Sequence, residues 1–226
     1  MTGTHADSRS GPTVVCFDWG GVILRICRSW AEGCARAGVP MREEAVTPES
    51  MALRKAAAHD YQIGAITRDE FLATISRATG HAYSPAEVKL VHDAWLIEEY
   101  AGVAALVERL HATPGLRTAL LSNTNACHWA RGGDGLGRDY PTAGRLQLRH
   151  ASHLLRLAKP DQAIYRAFER EVASALGSAP AQIVFFDDLA ENIASAQACG
   201  WRAVQVDHTG DTAAQMTRAL ESLGIF

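Results

Sequence analysis

Two short apolar runs that each end on acid constrain this chain more than any other feature. The first is "VVCFD", Val14 to Asp18, and the second is "AQIVFFDD", Ala181 to Asp188. Runs of this length, bounded by turn residues, read as buried strands. Gly11-Pro12 precedes the first run, and Gly20-Gly21 follows it. "LRTALLS" (Leu116 to Ser122) and "WRAVQVD" read as two further strands. "AIYRAFEREVASALG", "LAENIASAQACG" and "DTAAQMTRALESLG" carry helical spacing, and Gly200 stops the second of them. Strands alternating with helices imply right-handed crossovers and an α/β fold with a parallel sheet. Ligands of such sheets bind outside the carboxyl ends of the strands. Asp18, Ser122, Asp187 and Asp188 all sit at such ends, so the fold is expected to gather them on one rim.

The stretch between the first two strands is different. "TRDEFLATISRATG" has Thr67 and Glu70 at capping-box spacing, an apolar series, and Gly80 as a stop. "SPAEVKLVHDAWL" repeats the device with Ser84, Pro85 and Glu87. "ESMALRKAAAHDY" is a third helix, and "YAGVAALVERLHAT" a fourth, ended by Pro114-Gly115. The block is too long for one crossover and reads as an inserted all-helical subdomain. The expected layout is a flexible leader over 1–12, a core over 13–27 and 100–226, and a helical cap over 28–99.

A chain of 226 residues with 47% hydrophobic content can bury a full core without staples. A net charge of -3 with scattered basic residues argues against nucleic acid and anionic membranes as partners. The five cysteines are odd in number and form no CxxC pair, which argues against a disulfide framework or a zinc site. No basic-then-apolar signal pattern and no long apolar run is seen, so a reducing, cytoplasmic setting is expected.

Four pieces carry chemistry: Asp18, the Ser122-Asn123 pair, Lys159 in "LAKPD", and Asp187-Asp188 in "FFDDLAEN". Each alone has a plainer reading, as a turn former, a polar loop, a solvated lysine or a helix-dipole acid pair. Together they match phosphoryl transfer. A carboxylate can attack phosphorus and form an acyl phosphate. Bringing it to an anionic phosphate needs charge compensation, which Mg²⁺ held by carboxylates supplies. A hydroxyl and backbone N–H groups can hold the phosphate oxygens, and a lysine can balance the remaining charge.

With these four motifs in this order, the chain resembles the haloacid dehalogenase-like (HAD) hydrolases over nearly everything after the leader. The resemblance implies a Rossmann-like core with a type-1 helical cap. It implies Asp18 of "FDWGG" as nucleophile, Ser122 of "LLSNTN" and Lys159 as catalytic and phosphate-binding residues, and Asn123 beside them. Asp18, Asp188 and the backbone carbonyl of Gly20 would hold Mg²⁺. Asp187 would support the site, and Asn192 falls where many relatives carry another acid. The "DWGG" and "FFDD" variants are similar to sugar-phosphate phosphatase-like and epoxide-hydrolase-N-terminal-domain-like members.

Typical family phosphatases carry an acid two residues after the nucleophile, where this chain has Gly20. A general acid or base is worth roughly 10²–10⁴-fold in rate. Two readings follow. The first is a Mg²⁺-dependent phosphatase acting on a small phosphorylated metabolite through an aspartyl-phosphate. The second is a catalytically weak HAD-fold binding or regulatory protein. A haloacid dehalogenase proper fits the acid pair poorly. The glycine-rich stretch from Arg131 to Pro141 lacks the strand-to-helix context of a phosphate cradle and reads as a flexible loop. In the cap, Trp95 is expected in the helical core and His59 on a helix surface, in preference to a pocket lined by both with Tyr61. His128 and Trp129 fall just after the second motif, near the expected site mouth.

Overall fold

The computed structural model describes residues 11–132 and 139–226. The leader expected over 1–12 lies outside them up to residue 10, as does the middle of the glycine-rich stretch, 133–138. The chain enters β1 (Thr13–Phe17), turns, and forms β2 (Leu24–Ile26). Four helices follow: α1 (Trp30–Ala37), α2 (Pro48–Gln62), α3 (Arg68–Ala78) and α4 (Pro85–Asp93), with a 3-10 turn at Glu43–Val46. β3 (Leu96–Glu99) leads back to α5 (Val103–Ala112) and β4 (Leu116–Ser122). Short helices α6 (Ala126–Trp129) and α7 (Pro141–Arg145) precede β5 (Leu148–Ala151) and α8 (Ser152–Leu155). The chain then alternates α9 (Gln162–Leu176), β6 (Gln182–Asp187), α10 (Ala190–Ala198), β7 (Arg202–Gln205) and α11 (Thr212–Ser222).

Five strands form one parallel sheet in the order β5-β4-β1-β6-β7. Period-2 alternation splits β1 between two cores. Val15 and Phe17 face α5 and α11, where Leu110 and Met216 are fully buried. Val14 and Cys16 face α9 and α10, where Tyr165 and Phe168 are fully buried. Burying each such side chain stabilises by about 1.5–3 kcal/mol, which fixes the strand register on both faces at once.

The inserted helices make a third, separate core, built from Tyr61 of α2, Phe71 and Ile75 of α3, and Val88 and Val91 of α4. The capping boxes at Thr67/Glu70 and Ser84/Glu87 are both formed, with reciprocal side-chain and backbone bonds. The helix expected over "SPAEVKLVHDAWL" stops at Asp93, however. Leu96–Glu99 instead pairs antiparallel with β2, in the register Leu24↔Glu99 and Arg25↔Glu98. Three- and four-residue strands carry too few residues for a period to show, so β2, β3 and β5 had no signal of their own.

Two adjacent glycines after β1 suit a tight departure in which both take positive φ, but only one of them does. Gly21 needs its freedom, with φ +87°, but Gly20 does not lie in the left-handed region. The turn closes by Gly21 N–H donating to Leu24 O at 2.7 Å and Leu24 N–H to Trp19 O at 2.8 Å. Neither bond uses the carbonyl of Gly20.

Candidate active site

The strand order puts β1 between β4 and β6, so the three strands that end on Asp18, Ser122 and Asp187 are neighbours. The chain continues from β1 and β4 toward β5 on one side and from β6 toward β7 on the other. The rim therefore sits at the point where the strand order reverses, where such sheets bind ligands. Asp18 N–H still donates to Phe186 O at 2.8 Å, which holds the carboxylate against the end of β6.

Lys159 reaches this rim from the loop before α9. Its ammonium donates to Asp18 Oδ1 at 2.9 Å, Asp187 Oδ2 at 2.7 Å and Leu121 O at 2.9 Å. The side chain is fully buried. Asn123 anchors its backbone: Asn123 Nδ2 donates to Lys159 O at 2.8 Å, and Lys159 N–H donates to Asn123 Oδ1 at 2.9 Å. The Asn123 side chain is thus committed to the lysine, and only its backbone N–H is left for an anion. The Ser122 hydroxyl is buried at the end of β4 and makes no hydrogen bond among the described residues.

Asp187 is the best-satisfied carboxylate. Besides Lys159 it accepts from Leu189 N–H at 2.9 Å and from Asn192 Nδ2 at 2.9 and 3.0 Å. Asn192 Oδ1 is buried with no partner. Burial pushes the Asp18 carboxyl up to about 7; Lys159 opposes this and Asp187 adds to it. Burial alone would lower Lys159, but the two carboxylates outweigh it and hold the ammonium above its ordinary value.

Asp188 completes the group. Ligand-type oxygens of Asp18, Asp187 and Asp188 lie within 4.8 Å of one another. With Asp187 saturated, Asp18 and Asp188 are the carboxylates able to hold a cation. An all-oxygen set with a nearby free carbonyl at Gly20 suits a hard divalent ion. A Cβ at Gly21 would come within 2.5 Å of Asp188 Cγ, so glycine is needed there for close approach as well as for φ. Arg28, just after β2, donates to Asp188 Oδ2 at 2.7 Å. His208 Nδ1 stands 4.0 Å from the same oxygen.

A cavity of about 660 Å³ lies between this rim and the inserted helices. Gly20, Ser122 and Asn123 line it at one end, and Trp30, Met51, Phe71, Ile75, Val88 and Trp95 line the helical side. Tyr61 lines it too, its O–H donating to Cys127 Sγ at 3.0 Å. Trp95 is therefore a wall residue as well as part of the helical core, which its apolar spacing alone did not reveal. His59 is exposed on α2, as expected. His92 and His128 stack where the cavity meets the loop after β4, with ring centroids 4.0 Å apart. His128 Nε2 donates to His92 O at 2.9 Å, and Asn125 Nδ2 lies 3.3 Å from its Nδ1. Both ring nitrogens of His128 are thus in use. His92 Nδ1 is 3.6 Å from Asp93 Oδ1, too long for a hydrogen bond, and its ring nitrogens have no partner. Burial lowers His92 to about 4, and burial with the neighbouring His92 lowers His128 to about 3.

The family model for haloacid dehalogenase-like hydrolases matches residues 12–200. The chain belongs to this family. Among curated proteins it is similar to Phosphatase MT3486 of Mycobacterium tuberculosis, 39% identical over 74 residues. That match takes in 33% of this chain and 32% of the relative's own length. Among solved structures it is similar to the HAD family enzyme bt-2542 of Bacteroides thetaiotaomicron, in complex with magnesium and inorganic phosphate. That pair has a TM-score of 0.69 at 23% identity, covering 89% of this chain and 97% of that one. It is also similar to the L-2-haloacid dehalogenase of Xanthobacter autotrophicus with chloropropionic acid covalently bound. There the TM-score is 0.59 at 19% identity, covering 92% of this chain and 82% of that one.

Against this HAD frame, the surroundings of Gly20 stand out. A Cβ on Gly20 would meet Ile26 Cδ1 at 2.8 Å. The terminal methyl of Ile26 on β2 crowds the position a side chain at residue 20 would leave from. Ile26, Arg28 and His92 are the residues near the site that sequence reasoning missed; His128 was expected near the mouth, and its stacking on His92 was not. Ile26 and Arg28 are delivered by the β2–β3 pairing, and the stack by contact between α4 and α6; neither leaves a mark on local sequence. No described helix is long and apolar enough to cross a membrane.

Proposed function

We propose that this chain is a Mg²⁺-dependent phosphatase that hydrolyses a small phosphorylated substrate through an aspartyl-phosphate on Asp18. The observation that carries the reading is the rim itself: Asp18 on the central strand, 2.9 Å from a fully buried Lys159 and grouped with Asp188. The mycobacterial relative named a phosphatase and the Bacteroides neighbour's magnesium and phosphate complex support it.

In this reading Asp18, Asp188 and the Gly20 carbonyl hold Mg²⁺. Bound there, the ion offsets charge between the carboxylate and the phosphate and favours the ionised form of Asp18. Asp18 supplies the oxygen that attacks phosphorus. The Ser122 hydroxyl, which has no other partner among the described residues, and the backbone N–H of Asn123 bind the phosphate oxygens. Lys159 stays between Asp18 and Asp187, so nucleophile and phosphate meet a fixed positive charge and little reorganisation is needed. Asp187 holds that lysine, and Asn192 holds Asp187. Arg28, which holds Asp188 at 2.7 Å, would have to yield that carboxylate for it to serve as a metal ligand. The helices over 28–99 act as the cap that decides which leaving group fits. Five unpaired cysteines are consistent with work in a reducing, cytoplasmic setting.

The test is phosphate release from a panel of phosphate monoesters with Mg²⁺ and then with excess EDTA. Metal-dependent release supports the reading; release that EDTA does not touch removes Mg²⁺ from it. A second reading, a weakly catalytic phosphate-binding or regulatory protein, is favoured by Ile26 crowding the position of a side chain at Gly20. Saturable binding of a phosphate analogue without turnover of any ester would select it.

A further inference from the structure

The cavity and the Gly20 site bear on the same question, what leaves when phosphate is transferred. About 660 Å³ is the size of a small-molecule pocket, commonly about 300–1,000 Å³. It is continuous with Gly20, Ser122 and Asn123, so whatever is esterified to the phosphate must occupy it. Among the described residues no carboxylate lines it. Most polar side chains on the helical side are already bonded within the protein. Arg54 donates to Ala45 O at 2.6 Å and lies over the Trp30 ring at 4.8 Å. Tyr61 is held by Cys127, Ser29 caps α1 by accepting from Glu32 N–H, and Arg28 is held by Asp188. Lys55, Gln62, the His92 ring, Arg54 Nε and the Trp30 indole N–H are left; of these only Gln62 and His92 can accept, which leaves the hydroxyls of a sugar body short of acceptors. Three aromatic rings, Trp30, Phe71 and Trp95, make up much of the rest. At the mouth Met41, Val46 and Met51 are exposed apolar residues.

The second observation is independent of the first. The backbone at Gly20 would accept a side chain, since its φ is not in the left-handed region. Ile26 Cδ1, 2.8 Å from the position of a Cβ, crowds that position instead. His128 cannot stand in as a proton donor to a leaving group, because both its ring nitrogens are bonded within the protein. Among the described residues the leaving oxygen therefore has no carboxylic acid beside it. A phenol, with a pKa of about 10, departs far more readily as the anion than an alkanol, whose pKa is near that of water, about 16.

We propose that the substrate is an aryl phosphate, a phosphate monoester of a phenol whose apolar body fills the cavity under the inserted helices. This deepens the phosphatase reading and rests on it. Asp18 Oδ forms a bond to phosphorus while the bond from phosphorus to the aryl oxygen breaks. The electron pair leaves on the phenolate, which takes its proton from bulk water. A water then attacks phosphorus, the bond to Asp18 breaks, the carboxylate is restored, and the proton of that water passes to solvent with the released phosphate.

The experiment uses the full chain with Mg²⁺ and four esters: 2-naphthyl phosphate, phenyl phosphate, cyclohexylmethyl phosphate and glucose 6-phosphate. The expected kcat/KM for the naphthyl ester exceeds those for the glucose and cyclohexylmethyl esters by about 10²-fold or more, the worth of the missing acid. A preference for the glucose ester, or equal turnover of aryl and alkyl esters, overturns the proposal while leaving a phosphatase. Hydrolysis of none of the four removes the phosphatase reading as well. Gly20→Asp combined with Ile26→Ala restores an acid and the room for it. It should raise the rate for the cyclohexylmethyl ester relative to that for the naphthyl ester at least about 10-fold, whatever the absolute rates; an unchanged ratio between them overturns unassisted departure. A readout that needs no turnover and no folded variant is tryptophan fluorescence of the wild-type chain. Saturable quenching by 2-naphthol, absent with glucose, is expected from Trp30 and Trp95. No saturable quenching means that the apolar body does not bind there.

Discussion

The two walls of the cleft are built on opposite principles. On the sheet rim charge is concentrated and matched: Lys159 and Asp187 are fully buried and each makes several short polar contacts. On the helical wall carboxylates are absent among the described residues, and the few cations, Arg28, Arg54 and Lys55, are set among apolar and aromatic side chains. A buried charge is tolerated only when paired, and breaking a pair costs more than the pair contributes. The rim is therefore rigid in composition. An apolar wall has no such constraint, since volume-conserving swaps usually cost less than about 1.5 kcal/mol. The difference teaches where chemistry and where selectivity reside: one wall can hardly change, and the other can change freely.

The comparison breaks most sharply at Asp18. Asp18→Asn should lower phosphate release at least about 10³-fold, because the nucleophile itself is gone. Steady-state assays check this, and full activity in that variant would detach the rim from the reaction. Next, Lys159→Met leaves Asp18 and Asp187 facing each other without a cation. A loss of about 3–5 kcal/mol in urea unfolding is expected. By contrast Ile75→Val on the helical wall should cost only about 0.5–1.5 kcal/mol, with KM moving more than kcat.

The seam between the walls adds a pH dependence. His92 and His128 are lowered to about 4 and about 3 in the folded chain, below the ordinary 6.5. The unfolded chain then binds more protons as pH falls, so stability present above pH 6.5 is lost on the way down toward about 4. The loss should be on the order of 3 kcal/mol for each histidine by pH 4, and His128→Gln should remove about half of it in denaturation curves at several pH values. The smallest effect is expected farthest from the rim. Thr67→Ala removes one side of a capping box and should cost about 1 kcal/mol, with kcat unchanged.

Much of the rim was legible because its residues are tied to strand ends. Asp18, Ser122 and Asp187 each follow an apolar run, and a parallel sheet brings the ends of neighbouring strands together whatever lies between. The capping boxes at Thr67 and Ser84 were legible for a similar reason, since their geometry is local. What stayed hidden is what depends on contact between distant segments. Nothing in "RICRSW" says that Arg28 will reach Asp188, 160 residues later, or that Ile26 will back Gly20. The stack of His92 on His128 joins α4 to α6, two helices from different cores. The extra freedom expected of both glycines after β1 belongs to Gly21 alone, because the turn needs only one left-handed residue.

The β2–β3 pairing has a mechanical consequence. The chain crosses between sheet and helical block twice, and the two crossings lie hydrogen-bonded side by side, with a register shift between Arg25 and Ile26. The ribbon is where the chain joins the two bodies, and Tyr61–Cys127, Gln62–Ser152 and Asp93–Arg131 tie them again across the cleft, so a swing about the ribbon would have to break those bonds first. Ile26 is part of that ribbon. A swing that widened the cleft would therefore also move Ile26 away from Gly20, so that opening the cavity and wetting the backbone beside Asp18 would be one event.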